Sequence, residues 1–180
     1  MTVKNHLLVA RFPSGEEITN PEFDTIRWLM RRPYDTHWLY SPTAILSWQR
    51  SYSEVDGAWP DGRPMIVERV DTKFQLTLIK HKRIGWFCLH CRNTDAKNRW
   101  SVPFPPTGDR KSWIEHWSCG DTKFFLRDCF IRHNECEDVV KAFMQNGGRS
   151  KTVAWKSLSQ ITPHSEQPPE NATRVVTIPG

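Results

Sequence analysis

Cys88-Leu89-His90-Cys91 offers the most chemistry in this 180-residue chain. Two thiolates at that spacing can share a zinc ion, and Cys119, Cys129, His133 or Cys136 could complete a tetrahedral set. A zinc knuckle needs a tight turn between its cysteines, whereas this pair falls in a stretch that alternates like a β-strand, where residues three apart point to opposite faces. Buried thiols are therefore expected, with no metal and no cofactor assigned. As a nucleophile, Cys88 or Cys91 would need His90, or Cys119 would need His116, but no signature of a cysteine hydrolase surrounds either pair. Glu135, Glu137 and Asp138 fall at a helix start, where negative charge complements the helix dipole. Gly147-Gly148-Arg149-Ser150 follows a helix instead of opening one, the reverse of a phosphate-cradling loop. No catalytic residue emerges, so a non-enzymatic protein is expected.

Binding chemistry has more to work with. Lys80-His81-Lys82-Arg83 stands beside Trp86 and Phe87, a combination that could hold nucleic acid, yet the same run makes a solvated turn between two strands, and the turn is preferred. Trp113-Ile114-Glu115-His116-Trp117 lies outside any clear helix or strand pattern. Rings on a loop would be anchors for a protein partner, against core packing as the other reading. Glu54, Asp56 and Asp61 form an acidic loop that could serve the same purpose.

These residues must be positioned by a small set of elements. Asn20-Pro21-Glu22 reads as a helix start that closes at Arg31-Arg32-Pro33, and Ser41-Pro42 reads as a second, with Ala44, Ile45, Trp48 and Tyr52 at helical spacing. Asp56-Gly57 and Asp61-Gly62 mark turns in a polar stretch from Ser53 to Arg63. From Pro64 the period becomes two: Met65 to Val70, then Phe74, Leu76 and Leu78, the basic turn, and Gly85 to Cys91 returning. Trp100-Val102-Phe104, Phe124 to Leu126 and Cys129 to Ile131 suggest further short strands. Asn134 to Asn146 is a helix, its Asn134 and Glu137 spaced as a capping box, its Cys136, Val139, Val140, Phe143 and Met144 on one face, and Gly147 as its stop. Thr152 to Trp155 closes as a strand. The expected fold is α+β, an antiparallel meander packed with two short N-terminal helices and one C-terminal helix. One domain spans 1–161, with 162–180 as a flexible tail.

Composition narrows the class. Hydrophobic residues are 38%, but aromatics reach 12% with nine Trp, enough to build a core and to argue against disorder. No apolar run is long enough to span a membrane and no export signal is visible, so a cytoplasmic protein with reduced thiols is expected; five cysteines cannot all pair within one chain. Twenty-five Lys and Arg against twenty Asp and Glu leave a scattered excess of five positive charges.

The stretch Trp117 to Trp155 carries Gly120 and Asp121, then Phe124 and Ile131, the helix face Val139, Val140 and Phe143, Gly147-Gly148-Arg149, and Val153 with Trp155. In order and spacing it resembles the C-terminal signature of the first-numbered Imm family, immunity proteins found beside bacterial polymorphic toxins. The resemblance implies a small cytosolic α+β protein without catalytic activity, which binds a cognate toxin domain, nuclease- or deaminase-like, as a heterodimer and blocks its active site. Trp113, Glu115, Trp117, Asp121, Glu54, Asp56 and Asp61 are then the candidate partner contacts. The alternative is a basic nucleic-acid-binding protein stabilised by zinc at Cys88 and Cys91.

Overall fold

In the structure, a computed structural model, residues 6–39, 41–94, 97–118 and 121–177 are described. β1 (Leu7–Arg11) and β2 (Glu17–Thr19) form a hairpin, followed by α1 (Phe23–Arg31) and a π-helical turn at Tyr34–Trp38. The period-two region then runs as β3 (Thr43–Ala58), β4 (Pro64–His81), β5 (Gly85–Thr94) and β6 (Lys97–Pro103) in antiparallel succession. β7 (Ser112–Ser118), β8 (Asp121–Leu126), β9 (Phe130–Ile131), α2 (His133–Asn146), β10 (Trp155–Ser157), β11 (His164–Ser165) and β12 (Arg174–Thr177) follow. Eight strands make a large sheet ordered β10-β6-β5-β4-β3-β1-β2, with β9 also on β5; four make a smaller sheet ordered β11-β8-β7-β12. The fold is α+β and mostly antiparallel sheet, with β12 parallel to β7.

Alternation along the strands sends side chains into two separate cores. Leu76 and Leu78 of β4 and Trp86 and Cys88 of β5 pack with Ile26, Leu29 and Met30 of α1 and Val139, Val140 and Phe143 of α2. From the opposite face Phe87 and Val102 pack with Trp113, Phe125, Leu126 and Ile161, where the smaller sheet covers them. Tryptophans tie the helical layer down through their N–H groups: Trp48 Nε1 donates to the Phe143 carbonyl at 2.9 Å, and Trp86 Nε1 to His133 Nδ1 at 3.0 Å. Glu137 clips the two helices together, meeting Arg31 at 2.9 Å, Arg27 at 3.4 Å and His133 at 3.0 Å. Burial alone would raise its pKa, but the Arg31 hydrogen bond and the cationic neighbours outweigh that and hold it low.

Several expectations change. The second N-terminal helix, from Ser41-Pro42, is instead the start of β3: Ala44 and Leu46 alternate into the first core with Trp48 packed against it, a period of two that also satisfies the helical spacing Ala44, Ile45, Trp48. Asn20 does not cap α1; it sits at φ 48° and its Oδ1 accepts from the Leu8 amide at 3.1 Å, while the helix begins after Glu22. The C-terminal helix starts one residue earlier than Asn134, with Glu135 accepting from the Arg132 amide at 2.8 Å, which releases Glu137 for the helix clip. Trp113 to Trp117 is no loop but the body of β7. Within the expected tail, β11 pairs with β8 and β12 with β7.

Gly147 closes α2 at φ 72°, and a Cβ there would overlap the Phe74 ring. Gly62 has φ 83° with open space around it. Gly147→Ala should therefore cost about 2–4 kcal/mol in denaturant titration, from backbone strain plus overpacking, and Gly62→Ala only about 1 kcal/mol. Equal losses would mean that Phe74 does not hold the stop.

His116 is 4% exposed, its ring 5.3 Å from His81 and 5.8 Å from Phe125. Burial first, and the neighbouring His81 second, lower its pKa to about 4. Because the folded state resists protonation and the unfolded state does not, stability should be level above pH 6.5 and fall as pH drops from 6.5 towards 4, by roughly 3 kcal/mol for this group. Unfolding midpoints at pH 7, 5.5 and 4.5 should lose part of that slope in His116→Leu; an identical slope would reject the assignment.

Candidate functional site

The described thiols are buried, Cys88 and Cys136 in the first core and Cys129 in the second. Cys88 Sγ lies 3.7 Å from Cys136 Sγ beneath α2, and strand alternation puts Cys91 on the other face, its Sγ 2.9 Å from Asn93 Oδ1. Burial pushes the Cys91 thiol up to about 11 and Cys129 to about 12, and Cys136 well above its ordinary range, the direction opposite to nucleophile activation. Among the described residues no three His, Cys, Asp or Glu side chains cluster to hold a metal ion. Cys119 lies outside the described residues.

The basic run is divided by the turn it forms. Lys80 reaches inward, donating to the carbonyls of Met30 and Arg32 at 2.8 Å each, with its ammonium 5.3 Å from the Trp38 and Trp86 rings. It neutralises the carbonyl end of α1, a structural use of the charge. Burial lowers it to about 8, but its donors are directed at the backbone. Lys82 pairs with Asp35 at 2.8 Å. His81 packs against His116 and Phe130.

Two surface features remain. The first is a projecting ribbon. Among the described residues β1 pairs with β3 as far as Gln49 and β5 with β4 as far as Phe74, and beyond those points residues 50–58 and 64–73 pair with each other. A register shift between Trp48 and Gln49 inserts Lys73 as an extra residue at the root, re-aiming the faces of everything beyond. At about 3.3 Å per residue the ribbon extends about 30 Å. One face carries Val55 opposite Ile66 and Val70 opposite Ser51, with Val55 at 66%, Ile66 at 63% and Val70 at 59% exposure. The other carries Tyr52 opposite Arg69, whose guanidinium grips Glu54 at 2.7 Å and Asp56 at 2.9 Å. Trp59 stands exposed at the tip, where Asp61 holds Arg63 at 2.7 Å.

The second is a cleft of about 900 Å³ on the helix side of the large sheet, between the end of α2 and residues 157–159. Phe74, Arg92 and Arg99 stand in one cross-strand row on its floor, His90 and Ser101 beside them, and Arg149 at its rim. His90 Nε2 lies 2.8 Å from the Gly147 carbonyl, which fixes the end of α2 over the floor. Burial, the main cause, lowers the pKa of His90.

The expected contact residues separate accordingly. Glu54, Asp56 and Asp61 all lie on the ribbon. Trp113 is 3% exposed and part of the second core, Glu115 is half-buried on β7, and Trp117 and Asp121 lie on β7 and β8 with their side chains outside the described set. Reading 53–63 as a polar loop hid the ribbon, although Val55, Ile66, Val67 and Val70 are the β-branched residues a strand would use. The arginine row was hidden altogether, because Arg92 and Arg99 become neighbours only through the β5–β6 register. The residues that carry the resemblance are largely packing groups: Val139, Val140 and Phe143 fill the first core, Val153 and Trp155 flank it, and Gly147 ends the helix. No helix is long and apolar enough to cross a membrane among the described residues. No family model matches the chain, and no curated protein sequence matches it.

Proposed function

We propose that this chain is a non-enzymatic immunity protein that binds a cognate bacterial toxin domain one-to-one and blocks its active site. The ribbon is the observation that carries the reading. It holds Trp59, Tyr52 and Arg69, residue types that dominate binding energies, beside an exposed β-branched strip, on an element that contributes nothing to either core. Among the described residues no third strand pairs with 50–58 or 64–73, an arrangement suited to strand addition. Its ion pairs are exposed and so weak that a partner could replace them at small cost. The resemblance of residues 117–155 to the first-numbered Imm family directs the reading to a toxin of nuclease or deaminase type. The nucleic-acid alternative loses support from the 80–83 run, because Lys80 and Lys82 are already occupied within the fold.

Co-expression with the product of the adjacent reading frame should give a single peak on size exclusion, and that product alone should be lethal. Trp59→Ala and Ile66→Glu should each weaken the complex at least about tenfold with no change in unfolding midpoint, as expected for exposed hot-spot residues. A complex indifferent to both substitutions would remove the ribbon from the interface, and absence of any complex would end the immunity reading.

A further inference from the structure

We propose that Cys88 and Cys136 form a redox pair, which a low-molecular-weight disulfide oxidises to a covalent latch between β5 and α2. The two residues stand 48 apart in the chain, yet their sulfurs lie 3.7 Å from each other, in direct contact. A disulfide holds its sulfurs about 2 Å apart, so the pair must close by about 1.7 Å, within the sweep of rotation about the Cα–Cβ bonds. The other described thiols are held away from this contact. Cys91 points to the opposite side of β5, with its Sγ 2.9 Å from Asn93 Oδ1, and Cys129 belongs to the second core. Among the described cysteines the fold thus selects 88 with 136.

The step is a thiol–disulfide exchange. One of the two thiols loses its proton and attacks a sulfur of the oxidant, which makes a mixed disulfide and expels one oxidant thiolate. The second, deprotonated in turn, attacks the sulfur of the first, forming the Sγ–Sγ bond and expelling the other half of the oxidant. Two electrons pass to the oxidant, and the two protons given up end on its two thiols. In the closed fold both cysteines are fully buried, and burial, with the Cys88 contact second, holds the Cys136 thiol well above its ordinary pKa, so the pair is inert there. Exchange therefore waits for the first turn of α2 to lift from β5, against the Trp86–His133 hydrogen bond and the Glu137 ion pairs that hold it down. Once formed, the bond closes a loop that contains β6 to β9, and the freedom it removes from the unfolded chain stabilises the folded one. Neither cysteine lies on the ribbon, so the latch stands or falls apart from the toxin reading.

The test is incubation of the full chain with oxidised glutathione, in buffer and in sub-denaturing urea, which speeds the opening. An acid quench, alkylation in denaturant and peptide mass spectrometry then read the products. The peptides that carry Cys88 and Cys136 should appear joined, with the loss of two hydrogens, and dithiothreitol should separate them; Cys91 and Cys129 should be recovered alkylated. The oxidised chain should unfold about 10 °C above the reduced one, as expected for closing a loop of this length. That rise should vanish in Cys88→Ala and in Cys136→Ala, each compared with itself before and after oxidation; should neither variant fold, the joined peptides of the parent still decide. Recovery of Cys88 and Cys136 as unjoined peptides in both conditions, a link from either to Cys91, Cys119 or Cys129, or a lower unfolding midpoint in the oxidised chain would each overturn the proposal.

Discussion

β5 sends Trp86 and Cys88 into the helical core and Phe87 and Leu89 into the other, so it has no face to give to water. A strand of this kind must be covered twice, and the rest of the chain can be understood as the means of doing so. α1, α2 and the π-helical turn cover one side; the smaller sheet covers the other. Even its edge is shared, with β9 pairing at Trp86 and Phe87 and β6 taking over from His90. The wealth of tryptophan follows from this arrangement. Rings fill three-layer gaps with few side chains, and the indole N–H groups of Trp48, Trp86 and Trp155 each meet an acceptor on a neighbouring segment.

Legibility in the sequence tracked how local the signal was. The helix 133–146 announced itself through a periodic apolar face and a glycine stop, both contained within fifteen residues. The run 74–91 did so through alternation and a basic turn. β3 failed because Ala44, Ile45, Leu46 and Trp48 are dense enough in apolar residues to satisfy either period, and only the pairing of β3 with β1 and β4 chooses between them. Trp113 failed for the reason that a tryptophan with polar neighbours looks the same at a surface as in a core. The expected Asn134–Glu137 capping box does not form: the cap falls at Arg132 and Glu135 accepts from its amide, since acids at 135 and 137 both suit a first turn.

The two surface features meet at one residue. Phe74 is the last residue of β4 that pairs with β5, the place where the ribbon leaves the body, and its ring also floors the arginine cleft and locks Gly147. Asn93 reinforces the junction by donating to the Thr72 carbonyl. The ribbon root and the end of α2 are thus joined through this ring and through its cross-strand neighbour Trp48, whose indole N–H donates to the Phe143 carbonyl.

A two-stranded ribbon wet on both sides is marginal on its own in water, so residues 50–73 draw their order from the sheet at their root. Such a unit opens independently of the body, fraying rung by rung from Trp59 towards Gln49 while β5 keeps its amides shut against exchange. The chain therefore holds two levels of cooperativity in one fold. A partner that grips the tip must also bear the entropy of stilling it, and the number of rungs between tip and root sets how much of the contact energy is spent that way.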